Sequence, residues 1–111
     1  MERHGERFKN RVFTDREIRY ADSKANSFER YAARFAAKEA GMKALGTGWR
    51  GGLGWRDLEV TNLPSGRPTL SFHGRAEEIA KKLGVGNISL SLTHTADQAM
   101  ALVILETDSG K

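Results

Sequence analysis

The run Arg34-Phe35-Ala36-Ala37-Lys38-Glu39-Ala40-Gly41-Met42-Lys43-Ala44-Leu45-Gly46-Thr47-Gly48 constrains this chain more than any other stretch. It reads as the body of one amphipathic helix, with Gly46 as a natural stop because glycine readily takes the left-handed conformation that closes a helix. Extended back to Phe28, the segment places Phe28, Tyr31, Ala32, Phe35 and Met42 on one face, as helical periodicity requires. Glu39 falls near the centre of that apolar face. A carboxylate there must be paired, protonated or bound to a metal, because burying it bare is costly. Lys43 lies one turn further on, at the edge of the stripe. Two readings are open at this point: a solvated ion pair at i, i+4, or a site that uses both charges.

A chain of 111 residues is expected to form one domain, spanning 1–111, with a modest core. No apolar run approaches the roughly 20 residues of a membrane span. Met1-Glu2-Arg3-His4-Gly5-Glu6-Arg7 has no apolar signal core, so a cytoplasmic location without a membrane partner is expected. The absence of cysteine excludes disulfides, thiolate catalysis and cysteine-based zinc sites. His4, His73 and His94 show no metal-ligand spacing. A net charge of +4 favours an acidic partner: nucleic acid, a phosphorylated ligand or an acidic protein. The excess is concentrated early, in Arg3, Arg7, Lys9, Arg11, Arg16 and Arg19.

Along the chain, residues near 2–11 read as a helix, and Thr14-Asp15-Arg16-Glu17 is a capping box that begins a second, with Ile18 and Ala21 apolar. Asn26 or Ser27 can cap the long helix, which runs from about Phe28 to Leu45. Gly46 to Gly54 is glycine-dense; its amides could cradle a phosphate, but it fits no Walker loop or dinucleotide fingerprint. Leu58-Glu59-Val60 and Thr69-Leu70-Ser71-Phe72 read as strands joined by the turn Pro64-Ser65-Gly66-Arg67. A further helix is expected over about Arg75–Leu83, with Ile79, Ala80 and Leu83 inward and Gly84 as its stop. Alternation puts Ile88, Leu90 and Leu92 on one face of a strand that ends at His94. Ala99 to Glu106 is almost continuously apolar, as a strand covered on both faces would be. The fold class is α+β: a small antiparallel sheet packed by one long helix and two or three short ones.

The order Arg-Phe-Ala-Ala-Lys-Glu-Ala-x-x-Lys-Ala-Leu-Gly-Thr-Gly, then Asp-Leu-Glu-Val, Ser-Gly-Arg-Pro and Ser-Leu-Thr-His-Thr, resembles the bacterial holo-acyl-carrier-protein synthases. These are small, trimeric members of the phosphopantetheinyl transferase superfamily. The resemblance implies transfer of 4′-phosphopantetheine from coenzyme A to a serine of acyl carrier protein, a step that serves fatty acid biosynthesis. It implies Mg2+, with Glu39 as a ligand, and Lys43 beside the pyrophosphate; these two are the expected catalytic residues. Arg34, Gly46, Thr47, Gly48, His94 and Thr95 are the implied coenzyme A contacts. Arg3, Arg7 and Arg11, spaced by four residues, would form the ridge that receives acyl carrier protein. A homotrimer with clefts between subunits is implied, and no nucleic acid.

One departure from the family pattern lies at the front. Family members begin with a strand of the type Gly-x-Asp-(Ile/Val), whose aspartate is the second magnesium ligand. Here Met1 falls within the basic helix that follows, and no later aspartate matches the motif. The expectation is therefore an N-terminally shortened chain with impaired magnesium binding, sheet and activity. A non-catalytic paralogue that still binds the carrier protein is the alternative. A basic nucleic-acid module using Trp49 and Trp55 as stacking platforms is a further one.

Overall fold

The computed structural model describes residues 2–46, 52–94 and 98–107, the side chains of residues 2–5 and 94 excepted. Three helices come first: α1 (Glu2–Val12), α2 (Asp15–Asp22) and α3 (Ser27–Leu45). A 3₁₀ turn at Trp55–Asp57 leads into the hairpin of β1 (Leu58–Asn62) and β2 (Pro68–Phe72). Helix α4 (Gly74–Leu83) connects it to a longer hairpin, β3 (Val85–His94) and β4 (Ala99–Thr107). The architecture is α+β, as read from the sequence. The strands form two antiparallel pairs, β1–β2 and β3–β4, rather than one continuous ladder. Pro68 at the start of β2 has no N–H to offer a further strand, and a register shift between Val85 and Asn87 disturbs the start of β3.

Local chemistry sets the boundaries. Both arms of the capping box form: the Thr14 hydroxyl accepts the Glu17 N–H at 3.2 Å, and Glu17 accepts the Thr14 N–H at 2.9 Å. Asn26 precedes α3 but makes no capping bond; its amide instead bonds the side chains of Glu29 and Arg30. Gly46 closes α3 at φ 82°, as expected. Gly41, inside the helix, is a close-approach residue, since a Cβ there would stand 2.6 Å from a Leu58 methyl. That contact explains a glycine that costs about 1 kcal/mol relative to alanine in a helix.

The core joins Ala37, Met42 and Leu45 of α3 to Leu58, Val60, Leu70, Phe72, Ile79 and Leu90. The buried face of α3 is Ala33, Arg34, Ala37, Lys38, Gly41, Met42 and Leu45. This corrects the expected helix phase: Glu39 is exposed rather than central to the apolar face, and Phe28 is 76% exposed. Ala33 and Ala37 are buried on this face, and Gly41 lets α3 approach Leu58 of β1 and Leu70 of β2. The aromatics turn instead toward α1, with Phe8–Phe35 centroids 6.1 Å apart and Phe35 stacked on Trp55 at 5.0 Å. Phe13, which follows α1, packs on Tyr31 at 4.9 Å.

Two further expectations fail. Leu83 is exposed at the end of α4 rather than inward. Strand β4 is covered on one face only: Ala101, Val103 and Leu105 pack on the core, while Met100, Leu102 and Ile104 are exposed. Among the described residues no element covers that outer face, so a continuous apolar run did not mean double coverage. Among the described residues no helix is long and apolar enough to cross a membrane.

Candidate active site

The charges that α3 buries are Arg34 and Lys38, and the apolar pattern of the sequence gives no sign of Lys38. Its Nζ lies 2.9 Å from Glu17 Oε1, and both side chains are fully buried. It also donates to the Trp55 carbonyl at 2.9 Å and to the Leu58 carbonyl. All three ammonium donors are therefore used. Glu17 is saturated as well, because its second oxygen accepts the Val60 N–H at 2.6 Å. Burial lowers the Lys38 pKa, and the Glu17 carboxylate opposes that shift. The signal that could have revealed this pair was the small-residue stripe at 33, 37 and 41, which fixes the helix phase and turns Lys38 inward.

Arg34 is only 3% exposed. Its Nη2 donates to Asn62 Oδ1 at 2.7 Å, and its guanidinium carbon sits 4.1 Å from the centroid of the Tyr20 ring. Its Nε has no hydrogen-bond partner among the described residues, nor does the side chain form an ion pair with any of them. Burial pulls its pKa down from the usual value, with nearby Arg30 adding to that pull and Tyr20 and Glu17 opposing it. Arg34 lines a cavity of about 170 Å³ with Tyr20, Arg30, Asn62, Gly66 and Pro68. Two guanidiniums and no carboxylate line that space, which suits an anion with several oxygens, such as phosphate.

Glu39 and Lys43 lie on the other side of the helix. At 100° per residue they stand about 140° and 180° around α3 from Arg34. Both are exposed, and neither side chain makes an ion pair or hydrogen bond with a described residue. The solvated i, i+4 pair considered above is therefore not formed. The two line an open hollow of about 310 Å³ with the small side chains of Ala36, Ala40, Ala99 and Ala101, which leave both charges accessible.

The remaining expected site residues divide in the same way. Gly46 ends α3, whereas Thr47, Gly48 and Thr95 lie outside the described residues. The backbone of His94 ends β3 opposite Ala99, and its side chain is not among those described. Arg7 and Arg11 are exposed on α1; the Arg3 side chain is outside the described set. Among the described residues no group of three or more His, Cys, Asp or Glu could hold a metal, so Glu39 stands as a single carboxylate. The stacked Trp55 is engaged by Phe35 rather than presented as a base-stacking platform, and Trp49 lies outside the described residues.

The 4′-phosphopantetheinyl transferase superfamily profile matches residues 1–103. The chain belongs to that superfamily. A holo-[acyl-carrier-protein] synthase of Solibacter usitatus is 63% identical over 106 residues, covering 96% of this chain and 85% of the relative. The crystal structure of holo-[acyl-carrier-protein] synthase from Neisseria meningitidis matches with a TM-score of 0.84 and 29% identity, over 96% of this chain and 85% of that one. That of the Helicobacter pylori synthase in complex with coenzyme A matches with a TM-score of 0.77 and 28% identity, over 94% and 85% of the two chains. The α+β arrangement is thus that of the transferase superfamily. Within it, this chain carries its candidate charges in two groups on opposite sides of one helix.

Proposed function

We propose that this chain is a holo-acyl-carrier-protein synthase, which transfers 4′-phosphopantetheine from coenzyme A to a serine of acyl carrier protein. The observation that carries the reading is the exposed, uncommitted pair Glu39 and Lys43, one turn apart on the helix that bears the 34–46 run within the superfamily match. In the reaction the serine oxygen forms a bond to a phosphorus of the pyrophosphate. The bond from that phosphorus to the bridging oxygen breaks, and adenosine 3′,5′-bisphosphate leaves. The serine proton passes to a base or to solvent.

Glu39 fits Mg2+, since its carboxylate is accessible and the ion is commonly held by one or two carboxylates with substrate phosphates and water. When bound, the ion supplies neutralisation of charge on the pyrophosphate oxygens. Lys43 stabilises the leaving phosphate as charge develops there. Arg34 binds a phosphate of coenzyme A through its guanidinium, whose Nε has no partner among the described residues. Gly46, Thr47, Gly48, His94 and Thr95 are assigned to the coenzyme by the family resemblance. Arg3, Arg7 and Arg11 receive the acidic carrier protein.

Arg34 stands about 140° and 180° around α3 from Glu39 and Lys43, which supports a site completed by a neighbouring copy. We therefore read the assembly as a homotrimer of single-domain chains, with each site shared between neighbours. The exposed row Met100, Leu102 and Ile104 offers an apolar contact for such an assembly. The setting is the cytoplasm and fatty acid biosynthesis. The test is incubation of this chain with coenzyme A and apo-acyl carrier protein, with and without magnesium. Mass spectrometry should show magnesium-dependent modification of the carrier serine. Carrier binding without modification would instead identify a non-catalytic paralogue.

A further inference from the structure

We propose that Tyr20 and Asn62 are positioning residues that hold Arg34 with its Nε unpartnered among the described residues, ready for a phosphate group. The inference rests on the reading of Arg34 as a coenzyme A contact and adds the two residues that make that contact possible. Three observations carry it. The Tyr20 ring lies under the guanidinium at 4.1 Å, within the range where a π-face attracts a cation. Asn62 takes one nitrogen of the fork at 2.7 Å, while its own amide nitrogen donates to the Gly66 carbonyl at 3.0 Å. That second bond fixes which end of the Asn62 amide faces Arg34. The third observation is the orphan Nε, buried without a partner among the described residues.

A guanidinium in this position is costly to hold. It is desolvated, it has no carboxylate partner among the described residues, and Arg30 adds a second positive charge to the same cavity. A neutral ring and a neutral amide are the two groups that steady it without cancelling its charge. A carboxylate in either place would make the arginine more comfortable and less able to attract an anion. Tyr20 also draws Arg30, whose guanidinium carbon lies 6.0 Å from the ring centroid, while Asn26 accepts a hydrogen bond from Arg30 Nε at 3.2 Å. Both arginines thus meet the cavity from fixed directions, so little side-chain entropy remains to be lost when a phosphate binds.

The experiment is calorimetric titration of coenzyme A into the unsubstituted chain and its Tyr20→Phe, Tyr20→Leu, Asn62→Asp and Arg34→Ala variants, with thermal unfolding of each. Tyr20→Phe should bind within about twofold of the parent, because the ring face remains. Tyr20→Leu should bind roughly 5- to 30-fold more weakly, and should add no further loss in the Arg34→Ala background. Asn62→Asp should lose about tenfold in affinity while its unfolding midpoint holds or rises, since the new carboxylate pairs with Arg34. A merely structural role would move affinity and midpoint together. In turnover, Tyr20→Leu should raise KM for coenzyme A and leave kcat at saturation unchanged. Unchanged affinity in Tyr20→Leu and Asn62→Asp beside a loss in Arg34→Ala would overturn the positioning role alone. Unchanged affinity in Arg34→Ala, or no binding by the parent chain, would overturn the coenzyme reading as well.

Discussion

Lys38 and Glu39 are neighbours in the chain and opposites in surroundings. Lys38 is wholly buried, and its three donors meet Glu17 and two backbone carbonyls. Glu39, one residue on, faces solvent beside Ala36, Ala40 and Lys43 with no partner among the described residues. Lys38 with Glu17 fastens α2, α3 and the start of β1 to one another. Glu39 with Lys43 fastens nothing among the described residues. The difference shows that burial of a charge does not by itself mark chemistry. A saturated pair has no open position for a ligand, whereas an exposed pair held on a rigid helix does.

The largest effect should come from breaking the buried pair. Lys38→Met leaves the Glu17 carboxylate uncompensated in the core and removes the donor to the Trp55 and Leu58 carbonyls. A loss of about 3–5 kcal/mol is expected in denaturant unfolding. Pairing it with Glu17→Gln should recover part of that loss, because the uncompensated charge goes while the two carbonyls stay unmet. A loss below about 1 kcal/mol in the single variant would mean that Lys38 is as dispensable to the fold as Glu39.

The exposed pair should behave the other way round. Glu39→Gln should leave the unfolding midpoint where it is and lower magnesium-dependent transfer on the order of 10²-fold or more. Lys43→Ala should likewise lower turnover with little change in midpoint. Near-normal turnover in Glu39→Gln would remove the proposed magnesium role, and a large fall in its midpoint would remove the contrast with Lys38.

The sequence carried the element order well, because its punctuation is chemically unambiguous. The Thr14–Glu17 capping box, the left-handed Gly46 and Gly84, and the turn before β2 all stand where their residue types require. The phase of α3 was harder to read, since aromatics weigh heavily in any apolar pattern. Here the face against the sheet is set instead by Ala33, Ala37 and Gly41, whose small size permits close approach. Lys38 was missed for that reason, and Glu39 was placed inside when it lies outside. The run in β4 misled differently: Met100, Leu102 and Ile104 are apolar but exposed among the described residues, and an unbroken apolar run does not tell whether one face or both is covered. The pairing of Arg34 with Tyr20 and Asn62 joins residues far apart in sequence, so only the fold reveals it.

The exposed Arg7 and Arg11 of α1 extend the contrast to arginines that form no ion pair with a described residue. Reversing Arg7 and Arg11 to Glu should weaken acyl-carrier-protein binding about tenfold at low salt and much less at high salt, because exposed charges are screened. Coenzyme A binding should not change. Equal loss of both ligands would indicate a damaged fold, and no loss of carrier binding would take this ridge out of the mechanism.

The smallest expected effect belongs to Glu59, which stands between the two extremes. Thr14 serves both carboxylates: its N–H goes to Glu17, and its hydroxyl donates to Glu59 Oε2 at 2.6 Å. His73 Nε2 lies 3.3 Å from the other Glu59 oxygen. Burial pushes the Glu59 pKa up, but the Thr14 hydroxyl, Arg16 and His73 outweigh it and hold the group below its ordinary 4.5. The folded chain therefore binds this proton less readily than the unfolded chain. Its contribution to stability is complete above the ordinary value and is lost as pH falls through the lower, folded one. Glu59→Gln should cost about 1 kcal/mol near neutral pH, the scale of one hydrogen bond. The gap between parent and variant should hold steady down to about pH 5 and then narrow in acid. Denaturant midpoints taken across that range would show it. A gap that stays constant to about pH 3 would mean that Glu59 acts through its shape rather than its charge.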